Sequence, residues 1–119
     1  MEQMVRALRE RDMAAYLAHM ADSGRSSGMF LQNCVPACAP KEQAVVVALA
    51  LTEHWFERAG LRFGHEAACR VHGGGFAGTI QVVMPADREA DYREFISAHA
   101  GEEAVTSLSV RAAGAVCWP

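Results

Sequence analysis

Four glycines between two short apolar runs constrain the fold of this chain more than any other feature of its sequence. The segment "CRVHGGGFAGTIQVVMP" (residues 69–85) has glycine at these positions: Gly73, Gly74, Gly75 and Gly78. Glycine is entropically costly in ordered structure, so such a cluster implies a sharp turn or the close approach of another group. The flanking residues 67–71 and 79–84 have the composition of short strands. The sequence therefore predicts strand, glycine turn and strand.

Two known nucleotide-binding glycine motifs do not fit the sequence around this turn. Gly73, Gly75 and Gly78 match the letters G-x-G-x-x-G, but a strand pattern follows them, whereas a dinucleotide-binding fingerprint requires a helix there. A protein-kinase glycine loop needs a lysine on the following strand, and the only lysine, Lys41, lies upstream. Two interpretations stay open: a tight hairpin, or a bare backbone that a phosphate or another loop approaches closely, with exposed N–H groups that form an anion-binding concavity.

The rest of the chain predicts helices around this hairpin. Residues 2–22 read as a helix in two pieces, with Asp12 as the cap of the second, and "SGRSSG" (residues 23–28) reads as a loop. A helix opening at Pro40-Lys41 and ending at Gly60 has a first half that is apolar all round, which predicts burial on more than one side.

The C-terminal third predicts one more helix and two strands. Asp87 caps a helix that ends at Gly101 and carries an apolar stripe, and residues 105–110 and 115–118 read as strands. The stripe consists of Tyr92, Phe95, Ile96 and His99. This order predicts a single α+β domain over residues 1–119, with helices packed on one face of a small antiparallel sheet.

Composition excludes several classes of function. The 119 residues are 51% hydrophobic with a net charge of −3 and no basic run, which argues against nucleic-acid binding. The longest apolar run, residues 44–51, is too short for a membrane span, and the N-terminus has no signal-peptide pattern, so we expect a cytoplasmic protein. Cys34 and Cys38 are spaced more widely than C-x-x-C, and we expect reduced packing thiols and no metal site.

The glycine segment and three others resemble one family. "RVHGGGFAGTIQVVMP" is similar to the third conserved motif of galactokinase-type sugar kinases of the GHMP family. Similar family segments occur in the same order along nearly the whole chain: "ALRERDMAAYLAHMADSGRSSGMFLQN" (7–33), "ALALTE" (48–53) and "SLSVRAAGAV" (107–116). The resemblance implies a ferredoxin-like GHMP kinase C-terminal domain over residues 1–119.

The resemblance also implies an activity and a set of cleft residues. Members of the family transfer the γ-phosphoryl group of ATP, with Mg²⁺, to a small acceptor, which in galactokinase is the C1 hydroxyl of galactose. Carried over residue by residue, the implied wall of the ATP and sugar cleft is His72, Gly73, Gly74, Gly75, Phe76, Ala77, Gly78 and Thr79. His72 and Thr79 each have a structural alternative, as a hairpin histidine and a strand-opening threonine, and Phe76 favours a packing role. Outside the loop, Arg25 is the candidate anion contact, with a solvated loop arginine as the alternative.

The family residues that perform catalysis are not in this sequence. The phosphate-binding loop, the sugar-binding segment and the catalytic aspartate and arginine belong to the family's N-terminal domain. We therefore expect no catalytic residue here, no activity from the chain alone, and a partner that is either an N-terminal kinase domain or a second copy covering its apolar surface. The alternative is a stand-alone ferredoxin-like interaction or regulatory module derived from a GHMP kinase.

Overall fold

The computed structural model describes residues 2–75 and 78–110, which form an α+β fold. No helix among these residues is long and apolar enough to cross a membrane. Its main elements are the helices α1 (Glu2–Arg9), α2 (Met13–Ser26), α3 (Ala44–Arg58) and α4 (Glu89–Ala100) and the strands β1 (Ala68–Val71) and β2 (Ile80–Val83). Its short helical turns are a π-helical turn (Ser27–Leu31) and two 3-10 turns (Ala86–Arg88 and Glu102–Ala104).

The predicted break near Asp12 is confirmed. Arg11 has a left-handed backbone with φ of 57°, which separates α1 from α2. The Asp12 carboxylate then accepts a hydrogen bond of 2.9 Å from the Ala15 amide, as expected for an N-cap.

The predicted loop over residues 23–28 is wrong, because α2 continues to Ser26 and passes directly into the π-helical turn. Gly24 lies where α2 crosses β1: a Cβ there would lie 3.1 Å from the Cys69 carbonyl oxygen and 3.2 Å from the Arg70 Cβ. The Ser23 hydroxyl accepts a 2.9 Å hydrogen bond from the Arg70 guanidinium. Packing against the strand thus overrides the weak helix propensity of these small residues.

The predicted hairpin is confirmed to within one residue at each strand end. β1 and β2 pair antiparallel, with a register that runs from Ala68 opposite Val83 to Val71 opposite Ile80. The amide of His72 donates to the Thr79 carbonyl at 3.1 Å, which extends the pairing to the start of the glycine turn.

Helices lie on both faces of this hairpin, so the expected packing on one face is wrong. Successive residues of a strand point to opposite faces, and both Ala68 and Cys69 are buried. Ala68 packs in a cluster with three residues of α2: Leu17, Met20 and Ala21. Cys69 packs in the main core with residues of α3 and α4: Trp55, Phe56, Tyr92 and Ile96. A strand that is apolar on both sides requires cover on both sides.

Helix α3 begins later than predicted and is less buried. Residues 36–42 form turns instead of the expected first turn at Pro40-Lys41, while Gly60 (φ of 71°) ends the helix as predicted. Val45 is buried, but Val46 and Val47 are 40% and 51% exposed. The expected burial of this half on more than one side is therefore wrong, because the described residues cover only one side of it.

The end of the described chain differs from prediction at the start of α4 and in one strand. Asp87 lies within the 3-10 turn before α4 and does not cap the helix as predicted. α4 ends before Gly101 (φ of 95°) and buries Tyr92 and Ile96, as its stripe predicted, although His99 is exposed. Residues 105–110 do not form the predicted strand. Arg93 donates to the Val105 carbonyl at 2.6 Å and to the Ser107 hydroxyl at 2.7 Å, which ties this segment to α4. The predicted strand at 115–118 lies outside the described residues.

Candidate functional site

The glycine loop, defined as residues 72–79, connects β1 to β2 and is the candidate site. Phe76 and Ala77 lie outside the described residues. Three of its glycines have left-handed backbones: φ is 65° at Gly73, 79° at Gly75 and 79° at Gly78. A side chain in this conformation costs about 1–2 kcal/mol, so the turn itself explains these three glycines.

Gly75 has a second reason to be glycine, because Asn33 packs directly against it. A Cβ at Gly75 would lie 2.8 Å from Asn33 Cγ and 2.9 Å from Asn33 Cβ, and closer still to the Asn33 carbonyl oxygen. The Asn33 side-chain amide also donates to the Gly74 carbonyl at 3.1 Å. The close approach predicted for this loop is therefore observed on one side, where the approaching group is Asn33.

Gly74 is the one glycine of the loop that neither the turn nor packing against a described atom explains. Its φ lies outside the left-handed region, and no described atom lies within 4 Å of the position where its Cβ would be. Gly73 and Gly78 are equally open, and His72 and Thr79 are exposed. The loop thus has a packed side at Asn33 and an open side at Gly74, and we take the open side as the candidate binding surface.

The π-helical turn brings Asn33 to the loop. Gln32 donates its amide to the Ser27 carbonyl and has a left-handed backbone with φ of 51°. π-Helical turns occur frequently at functional sites. Local sequence patterns do not predict this role of Asn33, and the available signal is its place in the "LQN" of the segment that resembles the family.

Asn33 is also the one buried side chain in the described residues with an unpaired polar atom. It is 9% exposed, and its Oδ1 finds no hydrogen-bond partner among those residues. Leaving such a group unpaired costs about 1–3 kcal/mol. Stability alone is thus a poor explanation for an asparagine at this position.

An exposed apolar surface adjoins Asn33. The last three residues of the π-helical turn are exposed: Met29 by 63%, Phe30 by 80% and Leu31 by 67%. A shallow groove of about 360 Å³ beside this turn is lined by Gly28, Gln32, Cys34, Val35, Val46 and Leu49. Three consecutive large apolar side chains in water form a surface of the kind that partner domains cover.

Arg25, the candidate anion contact, lies on α2 and is exposed. It lines a cavity of about 240 Å³ between α2, α3 and β1, together with Glu53, Cys69 and Arg70. Its guanidinium lies 3.7 Å from the Asp22 carboxylate on the surface of α2. No described residue of the glycine loop lines this cavity or the groove beside the π-helical turn.

Three of the four cysteines lie among the described residues. Cys34 and Cys69 are buried and Cys38 is exposed, and all three are free thiols. Burial, with a smaller contribution from the Glu53 carboxylate, raises the pKa of the Cys69 thiol to about 12, so that it stays protonated and unreactive. The described residues contain no group of three or more histidine, cysteine or carboxylate side chains suited to a metal ion.

Comparison of the chain with protein families, curated proteins and solved structures finds no match. The functional assignment accordingly depends on the geometry of the glycine loop and on the sequence resemblance of the four segments.

Proposed function

We propose that this chain is the ferredoxin-like C-terminal domain of a galactokinase-type GHMP kinase, in which the open side of the glycine loop forms one wall of the ATP and sugar cleft. The observation that carries this proposal is Gly74. Because its φ does not require glycine and no described atom approaches it, the missing side chain is best explained by a group from outside the described residues. A phosphate group of ATP, or the phosphate-binding loop that holds it, has the size and chemistry for that approach.

The reaction needs positioning more than covalent chemistry from this domain. The C1 oxygen of galactose forms a bond to the γ-phosphorus of ATP, the bond from that phosphorus to the β,γ-bridging oxygen breaks, and ADP leaves. The proton of the C1 hydroxyl passes to a base that the N-terminal kinase domain supplies. Backbone N–H groups that face the developing charge are each worth about 10²–10³ in rate. A bare glycine backbone lets such donors approach the phosphates closely.

The remaining parts of the site belong to other components in this proposal. We assign Mg²⁺ to ATP and the N-terminal kinase domain, since the described residues hold no cluster of carboxylates suited to it. That domain also supplies the phosphate-binding loop and the sugar-binding segment. We place its contact on the apolar surface at Met29, Phe30 and Leu31, which would otherwise stay in water.

The test is to isolate the native product of the gene. An affinity tag is added at the 3′ end of the native coding sequence. ATP-dependent phosphorylation of galactose is assayed first in a cytoplasmic extract and then with the purified product. The intact mass of the purified product is also measured. We expect a kinase domain with the tag, either in the same chain or in a partner, and formation of galactose 1-phosphate and ADP. A tagged chain of 119 residues without a kinase domain and without turnover would refute the proposal and favour the regulatory module.

A further inference from the structure

Asn33 contacts the glycine loop at two successive residues. Its amide donates to the Gly74 carbonyl at 3.1 Å, and its backbone and side chain fill the space where Gly75 would carry a Cβ. The Cβ position of Gly74, by contrast, meets no described atom within 4 Å. Asn33 therefore holds the backbone of the loop without occupying the proposed ligand surface at Gly74.

The chemistry of the contact is specific for asparagine. The Gly74 carbonyl is an acceptor, so its partner must donate, which an aspartate carboxylate does not do. A glutamine is longer by one methylene, so it would not present its amide to the Gly74 carbonyl from the same backbone position as asparagine. Alanine would keep the backbone contact and lose the hydrogen bond.

We propose that Asn33 is the positioning residue of the glycine loop: it fixes the Gly74 and Gly75 backbone and thereby sets how that backbone meets the phosphates of ATP. This inference rests on the proposed kinase function for its link to ATP, whereas its claim about the loop stands on the contacts alone. The two claims have separate measurements.

The first measurement is made on the chain itself by ¹⁵N relaxation of the Gly74 and Gly75 amides. In the wild type we expect order parameters near the value of about 0.85 typical of rigid backbone, and in Asn33→Asp and Asn33→Ala values below about 0.6. Gln32→Asn is the matched control. It shortens the exposed side-chain amide of the residue before Asn33 and keeps a residue type that tolerates a left-handed backbone. If the aspartate variant does not fold, Asn33→Ala, which keeps the backbone contact and loses only the hydrogen bond, carries the test.

The second measurement is made on the native kinase with MgATP. We expect kcat/KM for ATP to fall about 10-fold to 100-fold in the Asn33 variants, because small displacements of a positioning group have effects of this size, while KM for galactose stays within about twofold. Gln32→Asn should leave both constants unchanged.

The outcomes separate the two claims. Unchanged order parameters at Gly74 and Gly75 in the Asn33 variants would overturn the positioning role, whatever the kinetics show. A mobile loop with unchanged kcat/KM for ATP would overturn its link to ATP. A mobile loop together with a wild-type native product that does not phosphorylate galactose would refute the proposed function and leave the positioning of the loop established.

Discussion

Substitution of Gly75 by alanine tests the packed side of the glycine loop. The substitution places a side chain on a backbone with φ of 79°, at a cost of about 1–2 kcal/mol. Its Cβ would also lie 2.8 Å from Asn33 Cγ, and relief of such overpacking in a close-packed region typically costs about 1–3 kcal/mol. The two effects together predict a loss of roughly 2–5 kcal/mol, a large part of the roughly 5–15 kcal/mol that stabilises a typical domain.

Urea unfolding followed by tryptophan fluorescence measures this loss, since Trp55 is a core residue that is 7% exposed. Gly74→Ala is the matched control in the same loop. It has no left-handed φ and no neighbour within 4 Å among the described residues, so we expect its free energy of unfolding to equal that of the wild type or to rise by up to about 1 kcal/mol.

The two alanine variants together test whether the glycine loop is packed at Gly75 and open at Gly74. We expect Gly75→Ala to unfold at a distinctly lower urea concentration than Gly74→Ala. The slope of the unfolding free energy against urea concentration should be the same for both variants. Equal midpoints for the two variants would mean that Asn33 does not pack against Gly75, and the division of the loop into packed and open sides would fail.

Three further predictions concern the free energy of unfolding of core variants and its dependence on pH. Phe56→Ala should lower the free energy of unfolding by about 3–5 kcal/mol in urea melts, because Phe56 is fully buried, and a loss below about 1 kcal/mol would contradict its place in the core. Thr52→Val should cost about 1–3 kcal/mol, because it leaves the buried Tyr92 hydroxyl without its 2.8 Å partner. The double variant with Tyr92→Phe should lose less than the sum of the single losses, and strict additivity would show that the two hydroxyls do not interact. Because burial raises the pKa of Cys69 from 9.0 to about 12, the stability that depends on its neutral thiol is present below pH 9 and lost as the pH rises toward 12. Cys69→Ala should therefore make the fall in unfolding free energy between pH 9 and 11 shallower, and an identical slope would contradict this assignment.

Local chemistry explains which elements the sequence predicted well. Asp12 and Gly60 mark helix ends through a cap and a left-handed residue, and both act as expected. The hairpin was predictable because β-branched strands and turn glycines each favour it through their own backbone preferences.

Tertiary contacts explain what local patterns could not predict. Residues 23–28 look like a loop in isolation, whereas in the fold Ser23 and Gly24 contact β1 and the helix continues past them. Residues 105–110 have strand composition, but Arg93 holds the first of them against α4. The glycine loop was predictable from its own composition. The hydrogen bond by which Asn33 holds it was not, because it joins residues separated by 41 positions.

A direct test of the glycine loop as a wall of the cleft is the rate of galactose phosphorylation by the native product carrying Gly74→Ala, compared with the wild type at equal folded fraction. We expect turnover by the wild type and a loss of about 10²-fold or more in the variant, since the added methyl group displaces backbone donors or phosphates from the cleft while stability is preserved. Equal turnover by the two proteins would contradict it, because the open side of the glycine loop would then not be a wall of the active site.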